Sequence, residues 1–148
     1  MTYPVQRVTL ITLGVQNLAR ARKFYETLGW VPHEATPAVV FFQMHGMALG
    51  LFGLKDLAED QGVKQVSLGT GAITLAQNFA STEDVDAAFA AALAAGARAV
   101  KSPSRTFWGG YSGYYADPDG HVWELAMNPF WPLAEDGSLT LPGGPSDS

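Results

Sequence analysis

The sequence predicts an α+β fold made of two tandem βαβββ modules. Three observations carry that prediction. The order of strand-like and helix-like segments in the first half is repeated in the second. Each half holds one helix with a capping side chain before it and a glycine after it. Hydrophobic residues make up 47% of the 148 residues and charged residues 16%, enough apolar side chain for a sizeable core. The modules fall at about 7–53 and 71–128, inside one domain spanning 1–132, with 133–148 as a C-terminal tail.

In the first module, Val8 to Val15 reads VTLITLGV, β-branched and apolar, a buried strand. Asn17 can cap the helix that follows, and Gly29 supplies its stop. Leu18, Ala21, Tyr25 and Leu28 form its apolar stripe, while Arg20, Arg22 and Lys23 fall on a solvated face. A short strand is expected near Val31 to Glu34 and a second over Ala38 to Met44. His45-Gly46 makes a two-residue turn into a third, Met47 to Phe52. Residues 54–70 read as a connector with room for one helical turn.

The second module starts with a strand over Ala72 to Phe79. Ser81 caps a helix with Asp84 as a capping-box partner, Val85, Ala88, Phe89 and Ala92 form its buried stripe, and Gly96 ends it. Arg98 to Lys101 is a strand. The stretch FWGGYSGYYADPDGHVWEL then supplies a hairpin turning at Asp117-Pro118-Asp119-Gly120. The halves share an order of elements rather than sequence identity. After Pro132 the chain becomes polar and rich in Gly and Pro, a loose tail.

Net charge is −5, which disfavours nucleic acid and anionic membrane as partners. No apolar run approaches the roughly 18 residues of a membrane span. MTYPVQRVTL lacks the basic-then-apolar pattern of a signal peptide, so a cytoplasmic location is expected. The chain has no cysteine, which removes disulfides, thiol nucleophiles and thiolate metal sites.

Two βαβββ modules, FYETLGW at the end of the first helix and YYADPDGHVWEL near the end together resemble the vicinal oxygen chelate superfamily. That group includes glyoxalase I, bleomycin-resistance proteins and extradiol dioxygenases, and the nearer resemblance is to its glyoxalase-like branch. The resemblance covers roughly residues 7–130. It implies a curled, cup-shaped mixed sheet with helices on the outer face. It also implies one divalent metal in the cup, held by a His on the first strand and a Glu on the last strand of each module.

Those four positions land on Leu10, Gly50, Thr74 (or, one residue on, Leu75) and Glu124. Only Glu124 keeps a usual ligand. A lone carboxylate beside a threonine hydroxyl is a poor site for Zn²⁺ or Ni²⁺. No cofactor is therefore expected, and a divalent metal only through an atypical site that includes Glu124. His45 lies at a turn, His33 has no partner, and His121 is an odd three residues from Glu124, which puts the two on opposite faces of a strand.

Pairing arithmetic then names the site. A five-residue loop over Asp117–His121 sets Tyr114 against Glu124 and Tyr115 against Trp123, the latter pair packed on the helices. The turn at His45-Gly46 sets Gln43 against Ala48 and Phe41 against Gly50. By alternation Thr12 joins Leu10, and Asn78 joins Thr74. Glu124 and Tyr114 are the candidate catalytic groups. Trp108, Phe41, Gln43, Thr12, Thr74 and Asn78 are the candidate ligand-binding groups.

The expected function is a small-molecule-binding protein with an aromatic cup that lacks most of the usual metal ligands. The alternative is a lyase/isomerase or dioxygenase-like enzyme that uses Glu124 as acid/base or in an atypical metal site. Glyoxalase I chemistry is not expected, because it needs the metal. The expected partners are a small-molecule ligand and a second copy in a homodimer.

Overall fold

The computed structural model describes residues 6–143. The chain divides into two compact units, the first ending at Gly69 and the second starting at Thr70.

The first unit runs β1 (Leu10–Val15), α1 (Leu18–Thr27), β2 (Pro32–Ala35), β3 (Val39–Gln43), β4 (Ala48–Gly53) and α2 (Leu54–Gln61). Its sheet order is β1-β4-β3-β2. β1 and β4 are parallel, and the other neighbours are antiparallel. Alternation sends Leu13, Val15, Val40, Phe42, Leu49 and Leu51 to one buried face. There they meet Ala21, Phe24 and Tyr25 of α1. Tyr25 stacks on Trp30 with ring centres 5.0 Å apart, and Phe42 meets Trp30 edge-on at 5.6 Å. The dense aromatic cluster of this unit is thus core beneath the helix.

The helix ends follow their caps. Asn17 Oδ1 accepts the Arg20 N–H at 3.0 Å. Gly29, at φ +96°, turns the chain so that the Trp30 N–H reaches the Tyr25 carbonyl at 3.1 Å. Gly46, at φ +73°, does the same for the β3–β4 hairpin, which pairs Gln43 with Ala48 and Phe41 with Gly50 as the turn length requires.

The connector departs from expectation. Residues 54–61 form a full helix rather than a single turn. Leu54 and Leu57 explain it: they lie over Gly14, where a Cβ would come within 2.8 and 2.9 Å of their methyl carbons. The missing side chain at position 14 is what admits α2 against β1.

The second unit runs β5 (Thr74–Asn78), α3 (Thr82–Ala94), β6 (Arg98–Arg105), β7 (Tyr111–Ala116) and β8 (Val122–Met127). Its order, β5-β8-β7-β6, with β5 parallel to β8, repeats that of the first unit. Ser81 Oγ accepts the Asp84 N–H at 3.1 Å and starts α3. Val85, Phe89 and Ala92 of α3 are buried, as are Tyr115, Trp123 and Leu125 of the sheet. Tyr115 and Trp123 stack at 6.4 Å, on the helix-covered face expected for them.

β6 is longer than the Arg98–Lys101 strand expected. It continues to Arg105 through two irregularities, one between Ala99 and Lys101 and one between Lys101 and Ser104. Pro103 sits in the second, tolerated because β6 is the edge strand. Beyond Pro132, Leu133 bridges to Leu139 and Asp136 Oδ1 accepts the Ser138 N–H at 2.9 Å, so the expected loose tail holds one small turn. Among the described residues, no helix is long and apolar enough to cross a membrane.

Candidate functional site on the second sheet

The site begins with a turn. Asp117 is buried, and its Oδ1 accepts the N–H groups of Asp119 and His121, both at 2.9 Å. The Asp117 N–H donates to the His121 carbonyl at 2.8 Å. Gly120, at φ +92°, completes the loop. His121 therefore closes the turn through its backbone. The loop is five residues long, so Ala116 pairs with Val122, Tyr115 with Trp123 and Tyr114 with Glu124.

That register sorts the sheet into two faces. Tyr115, Trp123 and Leu125 go to α3. On the other face, paired residues form three rows across β6, β7, β8 and β5. The middle row is Lys101, Tyr114, Glu124 and Ala76. It is flanked by the row Arg98, Ala116, Val122 and Thr74 and by the row Ser104, Ser112, Ala126 and Asn78. Thr74 and Asn78 thus share the Glu124 face, while Leu75, paired with Trp123, lies on the α3 face.

In the middle row the Tyr114 hydroxyl donates to Glu124 Oε2 at 3.1 Å. Burial, then the negative charge of Glu124 and the hydrogen bond to it, hold the Tyr114 phenol above its usual pKa. The phenol is therefore a proton donor at neutral pH, aimed at a carboxylate. Glu124 Oε1 accepts no hydrogen bond from any described residue.

Trp108 stands in the β6–β7 loop, 37% exposed. Its indole lies so close over Gly110 that a side chain there would have to displace it. Gly110 precedes Tyr111, and alternation puts it on the side of Ser112 and Tyr114. The indole therefore borders the Glu124 face, two rows along from Tyr114. The start of β7 is pinned from the other side. The Tyr111 hydroxyl donates to Asp86 of α3 at 2.7 Å, and the Arg105 guanidinium stands 5.9 Å from the Tyr111 ring centre.

The corresponding face of the first sheet is different in kind. Thr12, Gly50, Phe41 and Glu34 form one row, and Leu10, Ala48 and Gln43 the next. Phe41 fills the space above Gly50: a Cβ there would lie 3.0 Å from its ring and 3.6 Å from Leu10 Cδ1. The Gln43 amide donates to the carbonyls of Met44 and Met47 at 2.9 and 3.2 Å, so it ties the hairpin turn.

These residues do not fit the usual metal of the resembling family. Leu10 and Gly50 carry no donor, and the Phe41 ring occupies the place a ligand from position 50 would need. His33 and His45 are exposed, and His121 lies in the turn. Among the described residues, no three His, Cys, Asp or Glu side chains gather into a possible metal centre. Sequence reasoning found the Tyr114–Glu124 pair but missed Lys101 and Arg98 on the same face. Strict alternation could not place Lys101, because the irregularity between Ala99 and Lys101 shifts the pattern.

Comparison with known proteins agrees with this architecture. The family model described as Glyoxalase/Bleomycin resistance protein/Dioxygenase superfamily matches residues 7–125. Among solved structures, a glyoxalase-related enzyme from Fulvimarina pelagi is 37% identical, with a TM-score of 0.87 over 94% of this chain and 100% of that one. The solution structure of protein ATC0852 from Agrobacterium tumefaciens is 29% identical, with a TM-score of 0.68 over 86% of this chain and 98% of that one. A lactoylglutathione lyase from Agrobacterium tumefaciens shares the fold at 20% identity and a TM-score of 0.67, over 88% of this chain and 100% of that one. No functionally curated sequence matches. With the duplicated sheet order, the DPDG hairpin and the family match over most of its length, the chain belongs to the glyoxalase/bleomycin resistance protein/dioxygenase superfamily.

Proposed function

We propose that the protein binds a small molecule on the Glu124 face of its second sheet, without the usual metal of its family. The observation that carries this reading is the Tyr114 hydroxyl donating to Glu124 Oε2 at 3.1 Å, which leaves Oε1 as an acceptor for a ligand. A carboxylate with one occupied and one open oxygen suits a cation or a hydrogen-bond donor. Trp108 gives that face an aromatic border, and Thr74 and Asn78 give it polar margins. On the first sheet, Thr12, Phe41 and Gln43 share one face, where Phe41 covers Gly50 and the Gln43 amide ties its own turn.

The test combines elemental analysis of the purified protein with divalent-metal titration and thermal shift against aromatic amines such as benzylamine. The expected result is no stoichiometric metal and a stabilisation by the amine that Glu124→Gln abolishes and Trp108→Ala weakens. One metal per chain, lost in Glu124→Ala, overturns it.

A second reading is favoured by the same hydrogen bond and by the glyoxalase-related relative. In it the protein is a lyase or isomerase, and Glu124 moves a proton on an oxygenated substrate while Tyr114 supplies a hydrogen bond. Turnover that survives chelation and is lost in Glu124→Gln would select this reading over simple binding. We further propose a homodimer. Phe107 is fully exposed and Phe130 largely so, which is costly apolar surface to leave in water. Light scattering at twice the chain mass checks it.

A further inference from the structure

The middle row of the second sheet carries one group that the binding reading does not use. Lys101 pairs with Tyr114, which pairs with Glu124. Lys101 owes this place to the irregularity in β6. Ala99 pairs with Tyr115 on the α3 face, so plain alternation would put Val100 opposite Tyr114 and turn Lys101 back toward α3. The extra residue re-aims the lysine onto the Glu124 face, the use to which bulges near binding sites are put.

Three further facts fit. Lys101 is exposed and has no ion-pair or hydrogen-bond partner among the described residues. Arg98, one row away on the same strand, is in the same condition. Glu124 and Lys101 stand two strand intervals apart, about 10 Å between backbones, with a phenol between them. They are too far apart to satisfy each other without bending inward, and each has donors or acceptors to spare.

We propose that Lys101, Tyr114 and Glu124 form a recognition strip for a small zwitterion, its anionic group on Lys101 and its cationic group on Glu124 Oε1. The proposal rests on the binding reading above and deepens it by naming the ligand class. Arg98 adds positive charge at the anionic end. A planar ring between the two charged groups would lie over the Tyr114 side chain. The strip reads charge order as well as shape: a cation alone gains only the Glu124 end, and an anion alone gains only the Lys101 end while meeting repulsion from Glu124.

The probes are 4-(aminomethyl)benzoate, benzylamine and benzoate, titrated calorimetrically against the full chain. The zwitterion is expected to bind about tenfold tighter than benzylamine, the size of effect one charge-assisted contact supplies. Lys101→Gln should remove that advantage without weakening benzylamine, and Lys101→Arg should restore it. Lys64→Gln, an equal change of net charge in the first unit, should do nothing. If Lys101→Gln leaves the zwitterion's affinity intact, or Lys64→Gln lowers it equally, the strip is overturned. Should benzylamine bind in a Glu124-dependent way with Lys101 silent, the carboxylate–phenol site stands and the lysine's role falls. If none of the three probes binds, both fall.

Discussion

Gly50 shows how one residue decides chemistry. The resemblance to the vicinal oxygen chelate superfamily implies a carboxylate at this position; here the absent side chain makes room for the Phe41 ring and Leu10. Replacing the carboxylate alone should therefore fail to rebuild a metal site. Gly50→Glu is expected to take up no metal in elemental analysis and to lower stability, because its Cβ would meet the Phe41 ring at 3.0 Å. Forcing side-chain atoms into a packed site costs about 1–3 kcal/mol, readable as a lower urea midpoint. Tyr114 offers a second residue-scale check. Its phenol is held above the usual pKa by burial first and by Glu124 second. Glu124→Gln removes the charge and keeps the shape, so the phenol should titrate at lower pH by ultraviolet absorbance, though still above an exposed tyrosine. A Tyr114 titration unmoved by Glu124→Gln would mean the 3.1 Å hydrogen bond does not persist in solution.

The hairpin that carries the site depends on Asp117 more than on any group in the site itself. Its Oδ1 fixes two backbone N–H groups, and the loop so formed sets which residue faces Tyr114. Asp117→Ala leaves those donors without their acceptor, at a cost of about 1–3 kcal/mol each when buried. The expected outcome is a clear drop in urea midpoint together with loss of ligand response, whereas Ser81→Ala, a helix cap remote from the site, should cost about 1 kcal/mol and leave the response intact. These elements were legible in the sequence because their causes are local. Asn17, Ser81, Gly29 and Gly96 mark helix ends, and the lengths of the two turns fix the register of Phe41 with Gly50 and of Tyr114 with Glu124. What was not legible depends on tertiary contact. The second turn of α2 forms because Gly14 leaves space for Leu54 and Leu57. Lys101 reaches the site face only through an irregularity in an edge strand, which no periodic pattern announces. The commitment of the Gln43 amide to its own turn is likewise a three-dimensional fact.

At the scale of the whole chain, both units repeat one sheet order, with the first strand parallel to the last. Their faces have nevertheless diverged: an aromatic plug over Gly50 in the first, a charged row in the second. Folding of the chain should also depend on alkaline pH, and the tyrosines of the second unit say in which direction. Tyr111, Tyr114 and Tyr115 all have phenols held above the ordinary value of 10.0. Tyr115 is shifted furthest, by burial and then by the nearby Asp117 charge. In the unfolded chain these phenols release protons near pH 10, while in the folded chain they keep them. The unfolded state then binds fewer protons, so stability falls as pH rises. Below the unfolded value the contribution is fully present; above it, the proton retained by buried Tyr115 lowers stability by up to about 1.4 kcal/mol per pH unit. Urea unfolding at about pH 9 and about pH 11 should show this decline. Tyr115→Phe, whatever it does to stability at neutral pH, should flatten the slope between the two, and Tyr114→Phe should flatten it less. An unchanged slope in Tyr115→Phe would mean that its hydroxyl is not held in the buried, neutral state between β7 and α3.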